Sequence, residues 1–544
     1  MIAHSEVLSI FPNLLEARVH YWSSDWGTEW TPHLRSASEP IDIAVVSGRS
    51  SKGHHPFLIV EDGERAYILA IAWSGNWRIK LEKRNLNLQI IVESDNSRVR
   101  VITSSVNSGG ASGAINKLIS DFRESDHHKN PQLLVEWNSW WPYEDVEVNE
   151  QVILENAKIA KSLGFEIVVL DAGWFGPIDA DSHWHDVRGD WKERNTARFP
   201  NGLEFLGNKV RQEGIKFGIW LEIEAMGRSA SLTKQHPEFV ALRDGKELGY
   251  ICFGNPQALS WAASIADNLV RECGAEWIKI DFNVDPGGGC NRDDHGHLPE
   301  LGLSAHIEKL YQLLDDLKRA HPNLVVENCS SGGLRWDLGI AQHVDLGFAS
   351  DPDWPEHALS VFWASSQFFP IEKLLSWCDS QWRGDHPKQK FTPDASPNAD
   401  LEFALAITLL GGFGMSARLP QFPSDKQKLV AQYVELYKTH FRPRYQSGAL
   451  VRHLTEQPER DELGARTVAF AIETEGSDPV IAIYQLAGVK RSARISYQPS
   501  KSIEKYRVSN LTTGDVLIES HSGEFVYENN LQDNCSILLM LETI

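Results

Sequence analysis

Residues 165–174, FEIVVLDAGW, carry the fold decision. The run IVVL is β-branched and apolar without alternation, the pattern of a strand covered on both faces. It then stops at a carboxylate, Asp171, followed by Trp174. Before it, VNEQVILENAKIAKSLG (148–164) reads as an amphipathic helix ended by Gly164, and LLVEWNSW (133–140) as an earlier strand. After it comes a helix near 203–213, then KFGIWLEIEAM (216–226) and EWIKIDFN (276–283). A helix near 304–320 leads to NLVVENCSSGG (323–333), VDLGFASD (344–351), a weak segment EKLLSW (372–377) and GFGMSA (412–417). Apolar strands that alternate with helices form a parallel sheet, and eight such units point to a (β/α)8 TIM barrel. A doubly wound sheet is the alternative, but no G-x-G-x-x-G follows the first strand.

The flanks have another rhythm. AYILAIAW (66–73), WRIKLEK (77–83) and LQIIVES (88–94) are short segments bounded by turn residues, which predicts an N-terminal β-sandwich over 1–128. The polar stretch HHKNP (127–131) places the boundary. The barrel is expected over 129–443. RTVAFAIET (466–474), DPVIAIYQLAG (478–488), EKYRVSNLTTGD (504–515) and CSILLMLE (535–542) predict a small C-terminal all-β domain over 444–544. The class is therefore α/β with β domains on both sides.

Composition narrows the function. Among 544 residues, 53 Lys and Arg face 74 Asp and Glu, a formal charge of −21 that disfavours a phosphate backbone or anionic membrane as partner. Nineteen Trp suit core packing and also stacking on sugar rings. The six cysteines form no C-x-x-C pair, so neither a zinc ribbon nor a redox motif is indicated. PGGGC (286–290) lacks a following G-K-[ST] and reads as a turn; DDHGH (293–297) and HWH (183–185) lack a catalytic-metal spacing. No metal or organic cofactor is expected. The N-terminus shows no signal-peptide pattern and no apolar run is long enough to span a membrane, so a cytoplasmic protein with free thiols is expected.

Barrel active sites lie at the C-terminal ends of the strands. Here those ends carry Trp137, Asn138, Ser139, Trp140 and Trp141; Asp171 and Trp174; Trp220, Glu222 and Glu224; Lys279, Asp281 and Asn283; Glu327 to Ser331; and Ser350, Asp351 and Asp353. One acid at a strand end can be a helix cap. Six strands that behave alike make a ring of site residues. Glu222 and Glu224 alternate with Ile223 and are read as sharing one strand face, in supporting roles. A carboxylate-lined mouth rich in Trp fits glycoside hydrolysis, which needs one ionised and one protonated carboxyl group. Lys279, two residues before Asp281, suits Asp281 as nucleophile. In SDPDW (350–354), Trp354 is read as helping to keep Asp351 protonated, with Asp353 as the rival acid.

WNSWWPYEDVEVNEQ (137–151), LDAGWFG (170–176), GDWKERNTARFPNGL (189–203), GIWLEIEAMG (218–227), WIKIDFN (277–283) and ENCSSGGLRWD (327–337) together resemble glycoside hydrolase family 36, the retaining α-galactosidases or melibiases. The resemblance spans about 130 to 420, in the strand order above, and implies flanking β domains. It implies Asp281 as nucleophile, Asp351 as acid/base, and Asp171, Trp220, Lys279 and Cys329 as sugar-binding residues. It also implies an aromatic from the N-terminal domain, for which Trp22, Trp26 and Trp30 are candidates. Asn283, Trp140, Trp174 and Asp353 complete the expected substrate-binding set.

The sequence departs from the family pattern in places. Ala172 stands where a second aspartate usually contacts the sugar's 4- and 6-hydroxyls, and bulky Trp354 replaces a small residue. The expected reaction is hydrolysis of a terminal α-galactoside by double displacement, on an α-linked oligosaccharide or glycoside. Three alternatives stand beside it: a sugar altered at C4 or C6, a raffinose-synthase-like transglycosylase, and a non-catalytic carbohydrate-binding protein. Family members often assemble into homo-oligomers.

Overall fold

The computed structural model describes residues 4–12, 17–84, 87–126, 132–176, 184–192, 194–352, 354–379, 391–460, 464–499 and 503–544. Eight strands close a barrel in chain order: β1 (Glu136–Asn138), β2 (Ile167–Leu170), β3 (Lys216–Leu221), β4 (Trp277–Ile280), β5 (Val325–Asn328), β6 (Leu346–Phe348), β7 (Leu374–Asp379) and β8 (Gly412–Ser416). β2 to β4 are buried along almost their whole length, as their predominantly apolar sequences require; Lys279 of β4 is the buried charge among them. The weak segment near 372–377 is a barrel strand, entered through the single turn Ile371–Lys373.

Two compact units divide the chain, one built from 1–129, 137–161 and 166–351, the other from 130–136, 162–165 and 352–544. In the first, a four-stranded sheet that includes Trp77–Arg84 and Asn87–Ser94 packs against a second sheet centred on Phe57–Glu61 and Ala66–Ala72. Their facing side chains, among them Leu58, Leu69, Ile79, Leu81 and Ile90, make one buried core. This sandwich also carries a helix, Gly110–Ser125, that the reading of 1–128 as purely β did not include. Its apolar residues Ala114, Leu118, Ile119 and Phe122 recur at helical spacing and are buried. The expected boundary at 127–131 lies outside the described residues.

Local chemistry sets the barrel helices. Glu150–Ser162 is followed by Gly164 at φ 93°, the left-handed position glycine adopts freely. Pro256–Cys273 starts with its proline in the first turn, capped by Asn255 Oδ1, which accepts the Gln257 N–H at 2.9 Å. Parallel pairing puts Trp220 beside Lys279 and Lys279 beside Glu327, so three site residues stand at one level.

Between β3 and that helix sits a hairpin, Val240–Arg243 and Lys246–Ile251, absent from the sequence reading. Its turn is Asp244-Gly245 with both φ positive, 51° and 76°, so the D-G pair was the available signal.

In the second unit, Leu450–His453, Thr467–Thr474, Ser477–Gln485, Cys535–Thr543, Tyr506–Asn510 and Val516–His521 form a six-stranded sheet in that order. Its buried side includes Ala469, Ile481, Ile483, Val508 and Leu539. Gly514, at φ 76°, makes the turn expected at 514–515.

Candidate active site

The site residues gather in the first unit, in the last positions of β1 to β6 and just beyond them. β4 ends at Ile280, so Asp281 is the first residue of the loop. Four N–H groups converge on its carboxylate. Oδ1 accepts from the backbone of Phe282 at 2.7 Å and of Ser331 at 3.3 Å; Oδ2 accepts from Asn283 Nδ2 at 2.8 Å and Trp220 Nε1 at 3.2 Å. In all four hydrogen bonds the carboxylate is the acceptor.

Lys279 does not contact Asp281 in the manner expected. Its ammonium reaches Asp171 Oδ2 at 3.2 Å, which also accepts from Asn138 Nδ2 at 3.0 Å. Both charged groups are buried. Burial alone would lower the Lys279 pKa, but Asp171, together with the charges of Glu327 and Asp281, outweighs it and holds the ammonium well above its usual range. The cation also lies 5.2 Å from the centre of the Phe348 ring.

Asp351 is the counterpart of Asp281. Burial, and then the negative charge of Asp281, push its carboxyl up to about 6 against the opposing pull of Lys279. Trp354, expected to supply the apolar wall, stacks on His357 at 4.5 Å. Asp353 lies outside the described residues. Of the three candidate tryptophans of the N-terminal domain, Trp26 donates its indole N–H to Asp351 Oδ2 at 3.0 Å. Trp22 and Trp30 are core residues, 2% and 0% exposed. Cys329 is buried, with Sγ 4.0 Å from Asp351 Oδ1. Burial and the charges of Asp281 and Asp351 push its thiol well above the ordinary range, so it stays neutral.

An aromatic wall runs from Trp140 to Trp184, edge-on at 5.5 Å, and from Trp184 to Trp220 at 5.6 Å. Trp184, inside HWH (183–185), was not among the expected site residues. Trp174 is fully buried and spends its N–H on the Trp220 carbonyl at 3.0 Å, so it supports the wall from behind and offers no face to a ligand.

Glu222 and Glu224 lie beyond β3, which ends at Leu221, and they do not share one strand face. Glu222 accepts the Asn283 backbone N–H at 2.6 Å and its side-chain N–H at 3.2 Å, and pairs with Arg188 at 2.8 Å. Glu224 is bound by Arg335 at 2.8 and 2.9 Å and by His306 at 2.9 Å. Burial would raise its carboxyl, but Arg335 and His306 outweigh that and hold it at about 2.

Arg49, a buried residue of the sandwich, braces two of these loops. It donates to the Phe282 carbonyl at 3.2 Å and Ser331 Oγ at 3.0 Å, and pairs with Asp285 at 2.7 Å. Ser331 is strained at φ 47°, and its backbone N–H is one of the donors to Asp281.

The melibiase family model matches residues 115–447, more than half of the chain. The chain belongs to the melibiase family. It is similar to alpha-galactosidase 1 of Pediococcus pentosaceus, 27% identical over 74% of this chain and 57% of that protein. It is also similar to the alpha-galactosidase AgaA of Geobacillus stearothermophilus, 23% identical over 69% of this chain and 49% of the relative. The chain thus spans about half the length of these curated relatives. The solved AgaA structure superposes with a TM-score of 0.83 at 18% identity, covering 99% of this chain and 76% of that one, a likeness of fold. Variants of that enzyme have been solved with raffinose and with stachyose.

All six cysteines are free. Among the described residues, Cys252, Cys290, His295 and His297 bring four potential metal-ligand atoms within 4.8 Å of one another. Spacing along the chain concealed this group because Cys252 directly follows the hairpin. His183 of HWH lies outside the described residues. Among those described, no helix is long and apolar enough to cross a membrane.

Proposed function

We propose that this protein is a retaining α-glycosidase that removes a terminal α-galactose-like sugar from an oligosaccharide. The carrying observation is the division between two carboxyl groups: Asp281 amid four N–H donors, and Asp351 with its proton affinity raised to about 6. In this family setting Asp281 attacks the anomeric carbon. The bond to the leaving oxygen breaks as Asp351 delivers its proton to that oxygen. Water then attacks the same carbon, Asp351 takes the water's proton, and the Asp281–carbon bond breaks. Two inversions leave the α configuration intact.

Asp171 and Lys279 present an ion pair to the sugar's hydroxyls, Trp140 and Trp184 an apolar face, and Cys329 a neutral thiol. The raffinose and stachyose complexes of AgaA make α-galactosyl oligosaccharides the substrates to try first.

The test is hydrolysis of nitrophenyl α-galactoside with the stereochemistry followed by proton NMR. First-formed α-galactose, and turnover lost in Asp281→Ala but partly restored by azide as the β-galactosyl azide, support the reading. First-formed β-galactose would overturn the double displacement. Added sucrose or galactinol as acceptor separates hydrolysis from transglycosylation by the products.

One observation favours a second reading of the sugar. Ala172 is buried beside Asp171 and offers only a methyl group where the family pattern places a carboxylate. A sugar hydroxyl there loses a charge-assisted hydrogen bond, about 1.5–3 kcal/mol. If so, α-glycosides altered at C4 or C6 outcompete galactosides, and Ala172→Asp shifts preference back toward galactose.

A further inference from the structure

Cys252 directly follows the second hairpin strand, Lys246–Ile251, while Cys290, His295 and His297 lie in the long loop that leaves β4. Their four ligand atoms all fall within 4.8 Å of one another. Cys252 Sγ is 3.4 Å from His297 Nε2, and Cys290 Sγ is 3.5 Å from His295 Nδ1. Four ligands around one zinc ion, at about 2.3 Å for sulfur and 2.0–2.1 Å for nitrogen, stand about 3.6 Å apart as sulfur–nitrogen pairs in a tetrahedron. The two separations lie close to that spacing.

The far side of each imidazole agrees with it. His295 Nε2 lies 2.8 Å from the Glu238 carbonyl, and His297 Nδ1 lies 3.0 Å from the Leu298 carbonyl. A carbonyl only accepts, so each of those nitrogens donates its N–H. In the neutral ring that binds a metal, the nitrogen facing the sulfur then supplies the lone pair. A ligand histidine whose other N–H is held by a carbonyl is the arrangement that fixes tautomer and ring plane.

We propose that Cys252, Cys290, His295 and His297 bind one zinc ion as a closed structural site. Binding forms two Zn–S and two Zn–N bonds and releases the two thiol protons to water. Two thiolates balance the dication, so the cluster carries no net charge where Cys252, Cys290 and His295 are fully buried. Only His297 is partly exposed, which gives an entry path. A two-iron cluster with the same ligand types fits less well. It places the cysteines and histidines on different iron atoms, and the group is compact enough for a single ion. Four protein ligands leave no open position, so the role is fastening.

What it fastens is the loop that begins with Asp281. Phe282 and Cys290 of that loop pack with Tyr250 and Cys252 of the hairpin in a small buried cluster, and the Cys290 N–H donates to the Tyr250 hydroxyl at 3.0 Å. Gly254 belongs to the same design. A Cβ there would stand 2.3 Å from the His297 ring, so any side chain displaces that ligand.

The experiment measures metal in untagged, full-length protein purified without chelator and desalted, by plasma mass spectrometry. One zinc per chain is expected, lost at least tenfold in Cys290→Ser and in Gly254→Val, and retained in Asp293→Asn, an exposed acid of the same loop. A second measurement uses the wild-type chain, so misfolded variants do not decide the matter. Chelator-treated protein is titrated with cobalt(II), and a near-ultraviolet thiolate-to-cobalt band with tetrahedral d–d bands saturating at one cobalt per chain is expected. Wild-type protein without stoichiometric zinc that yields no such band overturns the site. So does an intact mass two hydrogens light that maps to a Cys252–Cys290 disulfide.

Discussion

Trp26 donates its indole N–H to Oδ2 of Asp351 across 3.0 Å, joining two residues 325 positions apart in the chain. That bond stabilises the charged carboxylate, while burial and Asp281 oppose it. The balance leaves Asp351 titrating near neutrality.

This sets a pH profile. With Asp351 as the proposed general acid, which works while protonated, kcat/KM for a poor leaving group is expected to fall as the pH rises through about 6. Trp26→Phe removes a hydrogen bond to the ionised form, worth about 1 kcal/mol, and moves that limb upward by roughly 0.5–1 pH unit. Asp351→Asn abolishes the limb along with most of the activity. A limb that stays in place in Trp26→Phe would separate this bond from the titration.

Asn283 holds Asp281 Oδ2 at 2.8 Å and is itself held by Glu222, which Arg188 partners. Asn283→Ala should lower kcat about 10- to 100-fold with little change in KM, because what is lost is the aim of the carboxylate and not sugar binding. Glu222→Gln should lower kcat less than Asn283→Ala does. A KM effect of equal size in both would mean that these residues touch the sugar.

The Glu224 carboxylate, buried with Arg335 and His306, is a stability element. Glu224→Ala leaves a buried arginine uncompensated and should cost about 3–5 kcal/mol in a denaturant titration. The sign with pH follows from its depressed pKa, about 2 against an ordinary 4.5. Its contribution is complete above pH 4.5 or so and is lost as the pH falls from there toward about 2. Acid unfolding of Glu224→Gln should accordingly show a shallower pH dependence than the wild type over that window.

Arg49 links the sandwich to the loops after β4 and β5 through the Phe282 carbonyl, Ser331 Oγ and Asp285. Arg49→Ala should destabilise by about 2 kcal/mol, since the Phe282 carbonyl and the Ser331 hydroxyl each lose a charged donor and Asp285 its ion-pair partner. It should also lower kcat, because Ser331 supplies one of the N–H groups on Asp281. Unchanged kcat in a destabilised variant would show that the loops hold their geometry without the sandwich.

The barrel was legible in the sequence because burial on both faces writes itself into local composition. IVVL is apolar throughout and WIKI is apolar but for Lys279, and their ends switch abruptly to Asp171 and Asp281. Gly164 marks a helix end by equally local chemistry, and Asn255-Pro256 carried the same kind of signal for the helix Pro256–Cys273, which the sequence reading left out. The ring of site carboxylates follows from the same logic, since barrel strands deliver their last residues to one rim.

What no local pattern contained was partnership. Lys279 stands two residues from Asp281 yet pairs with Asp171, because side-chain reach across neighbouring strands, and not sequence distance, selects the partner. Trp22, Trp26 and Trp30 are the same residue type within nine positions, and only the packing of the sandwich turns Trp26 to Asp351 and buries the other two. Cys252 meets Cys290, His295 and His297 because a hairpin and a loop fold onto each other. Periodicity reports which face of an element is buried; the neighbours on that face are set by the closure of the fold, where contacts distant in the chain become short in space.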